Sequence, residues 1–449
     1  MSHRKAVPRH GPADAESVVY RKVARRLIPF LFLLFLVAFI DRVNVGFAKL
    51  QMSGDLGLSE QVYGVGAGIF FLGYFLFEVP SNMILHRVGA KRWIARILLL
   101  WGLISMSIVW VDSAFSFYLL RFLLGVGEAG FFPGVILYLT YWFPARSMAK
   151  TTASFMTAMA VAGVVGGPVS GWIMAGLDGW LALRGWQWLF LLEGAPAVAL
   201  GFATYFFLDD GPAQAVWLDG REKQLLLHRL REDQAGREGV HGHGLLRQAL
   251  CSARVWLLAL IYFCLVLGLY GVSFWLPQIV NDLKQGGLVA TGLLSALPYL
   301  LAAPTMVAVA RHSDLRHERR WHIVGSAAAG GAGLIFLVMA RGLPVLSILA
   351  LGVATSGIMA ALSIFWSLPT AFLHGRAAAG GIALINCIGN LGGYFGPVIL
   401  GWVKQHTGNV DVGLYVLACA LCLAALLVLV SGKDGLKNPH DFKIPENPV

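Results

Sequence analysis

Long apolar blocks separated by short polar clusters run along most of the chain. Each block has about 20 residues or more, the length at which a helix crosses the hydrocarbon core of a bilayer. Twelve blocks qualify, at 27–48, 62–86, 93–111, 115–142, 149–175, 187–208, 254–280, 288–310, 321–340, 344–372, 378–403 and 409–431. They predict an all-α polytopic membrane protein with twelve transmembrane helices, called spans one to twelve below. The longest polar insert lies between spans six and seven. The expected organisation is an N-terminal arm 1–26, a six-helix bundle 27–208, a linker 209–253, a second six-helix bundle 254–431 and a tail 432–449. Within the linker, Asp219–Asp233 has the charged, amphipathic pattern of a helix that packs on the protein or on the membrane surface.

The two halves share a weak internal similarity. Gly166-Gly167-Pro168 and Gly171-Trp172 in span five are answered by Phe395-Gly396-Pro397 and Gly401-Trp402 in span eleven. Small residues crowd span five, as close helix packing in lipid requires. A duplication of this kind implies two pseudo-symmetric bundles with a site between them at mid-membrane.

Composition agrees: 57% of residues are hydrophobic and 13% charged, against about a quarter charged in soluble proteins. A net charge of +11 could indicate nucleic acid, but its distribution excludes that partner. Basic residues gather in the arm (Arg4, Lys5, Arg9, Arg21, Lys22, Arg25, Arg26) and after even-numbered spans (Arg87, Lys91, Arg92; Arg146, Lys150; Arg311, Arg316, Arg319, Arg320; Arg376). Loops after odd-numbered spans carry scattered charges such as Lys49, Asp55, Glu60 and Asp178. This asymmetry places both termini in the cytoplasm, and the polar start carries no cleavable signal. The five cysteines, mostly inside spans, read as small buried hydrophobes. No metal spacing is present, and the His-containing fragment Val240–His243 is too short to argue for one.

Charges inside a span cost several kcal/mol and mark pathways or bundle interiors. Span four carries Arg121 and Glu128 two turns apart on one face, roughly 10 Å along the axis. A fixed cation able to hold an anion thus shares a face with a carboxyl able to exchange a proton. In span one, Asp41 and Asn44 share a face while Arg42 is expected to point elsewhere. Asp41 reads either as a titratable group or as half of a structural Asp41–Arg42 pair. In span two, Tyr74 and Glu78 lie one turn apart. Tyr74 can serve a carboxylate or an interhelical bond. Glu78 lies near the basic loop, where charge pairing is expected ahead of a substrate role. Arg96 and Glu193 are placed near span ends, where snorkelling accounts for them. Span ten offers Ser363 and Trp366, and span eleven Asn386 and Asn390, as neutral donors. Buried ionic chemistry is therefore expected in the first half alone.

The phrases Phe39-Ile40-Asp41-Arg42-Val43-Asn44, Gly73-Tyr74-Phe75-Leu76-Phe77-Glu78-Val79-Pro80-Ser81-Asn82 and Arg121-Phe122-Leu123-Leu124-Gly125-Val126-Gly127-Glu128-Ala129-Gly130 resemble the major facilitator superfamily, and within it the anion:cation symporter family. Bacterial tartrate, galactonate, phthalate and 4-hydroxyphenylacetate permeases are similar members. The resemblance implies proton-coupled uptake of a small organic anion by alternating access, in a bacterial inner membrane, by a monomer with no cofactor beyond the proton gradient. It implies substrate binding by Arg121, Tyr74, Asn44, Ser363, Trp366 and Asn386, and proton coupling by Asp41 and Glu128. Arg42 and Glu78 are left with structural or gating roles. Phe39 and Met159 stand where sugar-acid carriers place a tyrosine and a glutamine. Their loss of hydrogen-bonding groups favours a less hydroxylated acid, such as a small dicarboxylate or aromatic acid.

The competing reading is an exporting antiporter, since Gly163–Gly171 partly resembles the glycine-proline signature of such proteins. Arg121 argues against it, because a cationic drug gains nothing from a fixed cation. An organophosphate exchanger usually presents an arginine from each half, and a membrane enzyme needs a nucleophile with a base or a metal cluster. The sequence offers neither.

Overall fold

The computed structural model describes residues 12–235, 252–283, 286–372 and 376–431. The first residues of the arm, the Val240–His243 fragment and the tail lie outside them. Among the described residues, twelve helices are long and apolar enough to cross a membrane: Glu16–Asp55, Glu60–Leu85, Ala90–Trp110, Ala114–Thr140, Phe155–Gly176, Gly185–Phe207, Ala253–Asp282, Leu288–Arg316, Arg320–Met339, Pro344–Pro369, Gly381–Thr407 and Asp411–Val430. They form two six-helix bundles, and the described residues contain no strand.

The first helix begins at Pro12, inside the segment expected to be a polar arm. Its early turns are amphipathic. Val19, Val23 and Leu27 are buried, while Glu16 and Lys22 pair with Arg229 (3.1 Å) and Glu222 (2.7 Å) of the linker helix Gly220–Ala235. The linker helix is therefore a packing element against the first bundle. Leu226 and Leu230 face inward from it.

Spans two and eleven, and spans five and eight, meet across the interface between bundles through glycines. A Cβ on Gly64 would lie 2.6 Å from the Pro397 carbonyl, and one on Gly167 would lie 2.6 Å from that of Gly292. The repeated glycine-proline segments thus occupy matching places at the interface. Backbones this close are what small residues permit in lipid, where burial of apolar surface no longer drives association.

Span four is interrupted at Ala129–Gly130, where Gly130 takes φ +84°. An unwound turn frees backbone groups, which is tolerated at membrane depth only inside protein or beside a cavity. The interruption directly follows Glu128.

Candidate functional site

Span four approaches span two closely enough to seat its arginine on the neighbouring backbone. A Cβ on Gly125 would fall 1.9 Å from the Phe70 carbonyl oxygen, and one on Gly73 would fall 2.4 Å from that of Phe122. With both positions bare, Arg121 reaches span two, where Nε donates to the Gly66 carbonyl (3.2 Å) and Nη2 to the Ala67 carbonyl (3.1 Å). Its guanidinium lies 5.4 Å from the Phe70 ring centroid and 5.9 Å from that of Phe274 in span seven. Arg121 is fully buried, and its Nη1 has no hydrogen-bond partner. The side chain is thus clamped along one edge, and a donor on the other edge is left unused at the bundle interface.

Arg42 points away from the face shared by Asp41 and Asn44, as expected, but the alternative of a structural Asp41–Arg42 pair is corrected. Its Nη2 forms a buried ion pair with Glu128 Oε1, and Nη1 donates to the Tyr270 hydroxyl of span seven at 2.7 Å. The guanidinium lies 5.3 Å from the Phe70 centroid and 5.7 Å from that of Tyr74. Asp41 and Arg42 are successive residues of one helix, about 100° apart around its axis, so the two side chains meet different neighbours. Arg42 consequently joins the acid of one bundle to a phenol of the other.

Asp41 is completely buried on the far side of the same helix. Trp101 Nε1 donates to it at 2.5 Å, Asn44 Nδ2 donates at 3.3 Å, and the Ser105 hydroxyl donates as well. Asn44 therefore shares a face with Asp41 as expected and contacts it directly. Trp101 and Ser105 in span three escaped the sequence reading because a tryptophan and a serine are ordinary within a membrane helix. Tyr270 escaped it because a lone tyrosine in the aromatic and apolar run of span seven carries no signal of its own.

Glu78 is also corrected. It does not pair with the basic loop; it is buried, accepting from Asn386 Nδ2 at 2.5 Å and facing Cys387 Sγ at 3.6 Å. The two bundles meet here, so Asn386 is engaged by a carboxylate. Ser363 donates to the Ala360 carbonyl of its own helix at 2.8 Å. Trp366 stands edge-on to Tyr262 with centroids 4.9 Å apart. These second-half residues line one region but do not touch the Arg42–Glu128 pair directly. Lys49 and Glu60, assigned to a loop, instead form a network at the end of the molecule opposite the termini. Lys49 is buried, pairing with Glu60 at 2.8 Å and donating to Gln278 at 2.9 Å. Lys404 of span eleven reaches Glu60 (3.4 Å) and Asp282 (3.6 Å). Glu193 is buried in span six, away from its ends, so snorkelling does not describe it.

Residues 31–397 match the family described as the Major Facilitator Superfamily. A protein of Agrobacterium vitis provisionally named a tartrate transporter is 49% identical over 426 residues, covering 94% of this chain and 93% of that protein. A quinolone resistance transporter of Acinetobacter baumannii is 43% identical over 417 residues, covering 93% and 95%. The solved structure of the xylose transporter XylE from E. coli, partially occluded and inward open, superposes with a TM-score of 0.75 at 14% identity, covering 94% of this chain and 99% of that one.

Proposed function

The chain belongs to the Major Facilitator Superfamily and is a multi-pass membrane transporter, and from that premise we propose that it imports a small carboxylate, of the tartrate kind, together with protons. The observation that carries this reading is Arg121. It is a buried cation with an unused donor, held by two backbone carbonyls and by no carboxylate among the described hydrogen bonds. A guanidinium arranged in this way suits the two oxygens of a carboxylate, since its fork can donate in parallel. The Agrobacterium vitis relative, provisionally named a tartrate transporter, favours the same substrate class.

Proton coupling follows from the neighbouring ion pair. Glu128 is bound to Arg42, which also holds Tyr270 of the other bundle. Protonating Glu128 removes the charge that fixes Arg42. The guanidinium is then free to follow the second bundle or the incoming anion. External protons load Glu128 and Asp41, the anion seats on Arg121, and the bundles rock with fewer bare charges enclosed. Release of anion and protons in the cytoplasm resets the carrier. On this reading the membrane is the bacterial inner membrane, with both termini in the cytoplasm.

Export is the second reading, and the quinolone resistance relative is the observation in its favour. Ligand binding by the purified protein separates the two. L-Tartrate is expected to raise the melting temperature of wild type by mass action on the folded state. Arg121→Lys keeps the charge and loses the fork, and is expected to weaken that shift by about tenfold in apparent affinity. Stabilisation by a fluoroquinolone, with none by L-tartrate or another small dicarboxylate, would favour the export reading instead.

A further inference from the structure

Beside the two acids already assigned stands a third. Glu193 of span six is buried, and its Oε1 accepts from the Ser170 hydroxyl of span five at 2.8 Å. Its other oxygen, Oε2, has no partner among the described residues. Asn44 lies between Glu193 and Asp41. Its amide donates to Asp41 Oδ1 at 3.3 Å, and Asn44 lines one small cavity together with Ser170, the donor to Glu193. The Asn44 Oδ1 is itself buried without a partner. Two buried acceptors are thus left unsatisfied where an asparagine meets a carboxyl. Leaving a buried polar group of this kind unsatisfied is costly. A proton on Glu193 Oε2, with a turn of the Asn44 amide, joins both in a single O–H···O bond.

Charge balance leads to the same place. The buried spans hold two guanidiniums, Arg42 and Arg121, and four carboxyls, Asp41, Glu128, Glu193 and, where the bundles meet nearer the termini, Glu78, which accepts from Asn386. Uncompensated charge in a low-dielectric interior is expensive, so carboxyls in excess of the cations carry protons. Glu128 has a direct ion pair and Asp41 has three donors. Glu193 has the weakest provision for a negative charge. Among the described residues no ion pair is made to it. Span three packs Met106 and Gly102 against the adjacent Gly194, and span five presents Ser170 to Glu193 itself. The second segment of span one turns Lys49 to Glu60 and Gln278, and Asp55 to Arg184 and Trp186. Among the described residues, Asp41 is the charged group that faces it.

We propose that Glu193 is a third proton-binding carboxyl of the central site, protonated in the arrangement seen here and exchanging that proton with Asp41 beside the shared Asn44. When the proton passes to Asp41, Glu193 becomes the carboxylate and the Asn44 N–H turns towards it. One O–H bond breaks, one forms, and no further reactant is needed. The inference rests on the proton-coupled reading for its role in transport, but not for the presence of the proton.

Infrared spectroscopy of the purified full-length protein tests it without any substrate. Wild type at neutral pH is expected to show a protonated-carboxyl C=O stretch that shifts in deuterated water. Near-isosteric Glu193→Gln is expected to lose one component of that band with its thermal melt intact. Ser170→Ala, which removes the donor to the same carboxyl, is expected to shift the component and keep it. A band unchanged from wild type in both variants overturns the proposal. Proton-driven L-tartrate uptake in proteoliposomes supplies the second arm, in which Glu193→Gln is expected to flatten the pH profile several-fold. If wild type fails to take up L-tartrate at all, the transport reading falls while the infrared result still decides Glu193.

Discussion

At the scale of single residues, the site depends on which charge neutralises which. Glu128 is fully buried, and its one described charged partner is Arg42, itself only slightly exposed. Removing one member of a buried pair typically costs about 3–5 kcal/mol, because the other is left uncompensated. Arg42→Met is therefore expected to lower the melting temperature sharply, and Arg42→Met with Glu128→Gln to recover much of the loss. A double variant melting no higher than Arg42→Met would show that the pair does not bear this energy. The sequence revealed that Arg121, Glu128 and Asp41 are embedded charges, since each interrupts an apolar block long enough to cross the membrane. It did not reveal their partners. Pairing of Arg42 with Glu128 depends on the relative depth and rotation of spans one and four, and the periodicity within either span defines neither.

At the scale of elements, glycine decides how close the helices come. Arg121 meets the Gly66 and Ala67 carbonyls because spans two and four approach at Gly73 and Gly125. A side chain at residue 125 would run into the Phe70 backbone, which a rotamer change cannot relieve. Gly125→Leu is expected to cost about 1–3 kcal/mol or more through overpacking and to withdraw Arg121 from its backbone clamp. The check is a lowered melting temperature accompanied by lost L-tartrate stabilisation; wild-type values for both would remove the close approach from the argument. The spans themselves were legible because bilayer thickness fixes their length. Their ends were less so. Hydropathy treats Lys49 and Glu60 as loop charges, whereas their mutual ion pair and their contacts with Gln278 and Lys404 of the second bundle hold them within the helical framework. Glu193 was misplaced for the same reason, since polarity near a boundary does not distinguish an exposed side chain from one turned inward.

At the scale of the whole molecule, the two bundles are fastened most extensively at the end opposite the termini. There Lys49, Glu60, Gln278, Lys404 and Asp282 form one network, and the Tyr63 hydroxyl donates to the Phe274 carbonyl at 2.8 Å. Nearer the termini, Glu78 links the bundles through Asn386 and Cys387. On the topology proposed here the outer side is shut, and Arg121, the Arg42–Glu128 pair and Asp41 lie between the two closures. The duplicated glycine-proline segments made this two-bundle plan readable from sequence. The coupling between charge and bundle movement was not readable, because it passes through the neutral Tyr270. Proteoliposomes with a pH step across the membrane test that coupling most directly, by comparing L-tartrate accumulation with L-tartrate counterflow in wild type and Glu128→Gln. The glutamine imitates a permanently protonated acid. The account predicts that the variant retains counterflow and loses proton-driven accumulation; accumulation by Glu128→Gln equal to wild type would contradict it.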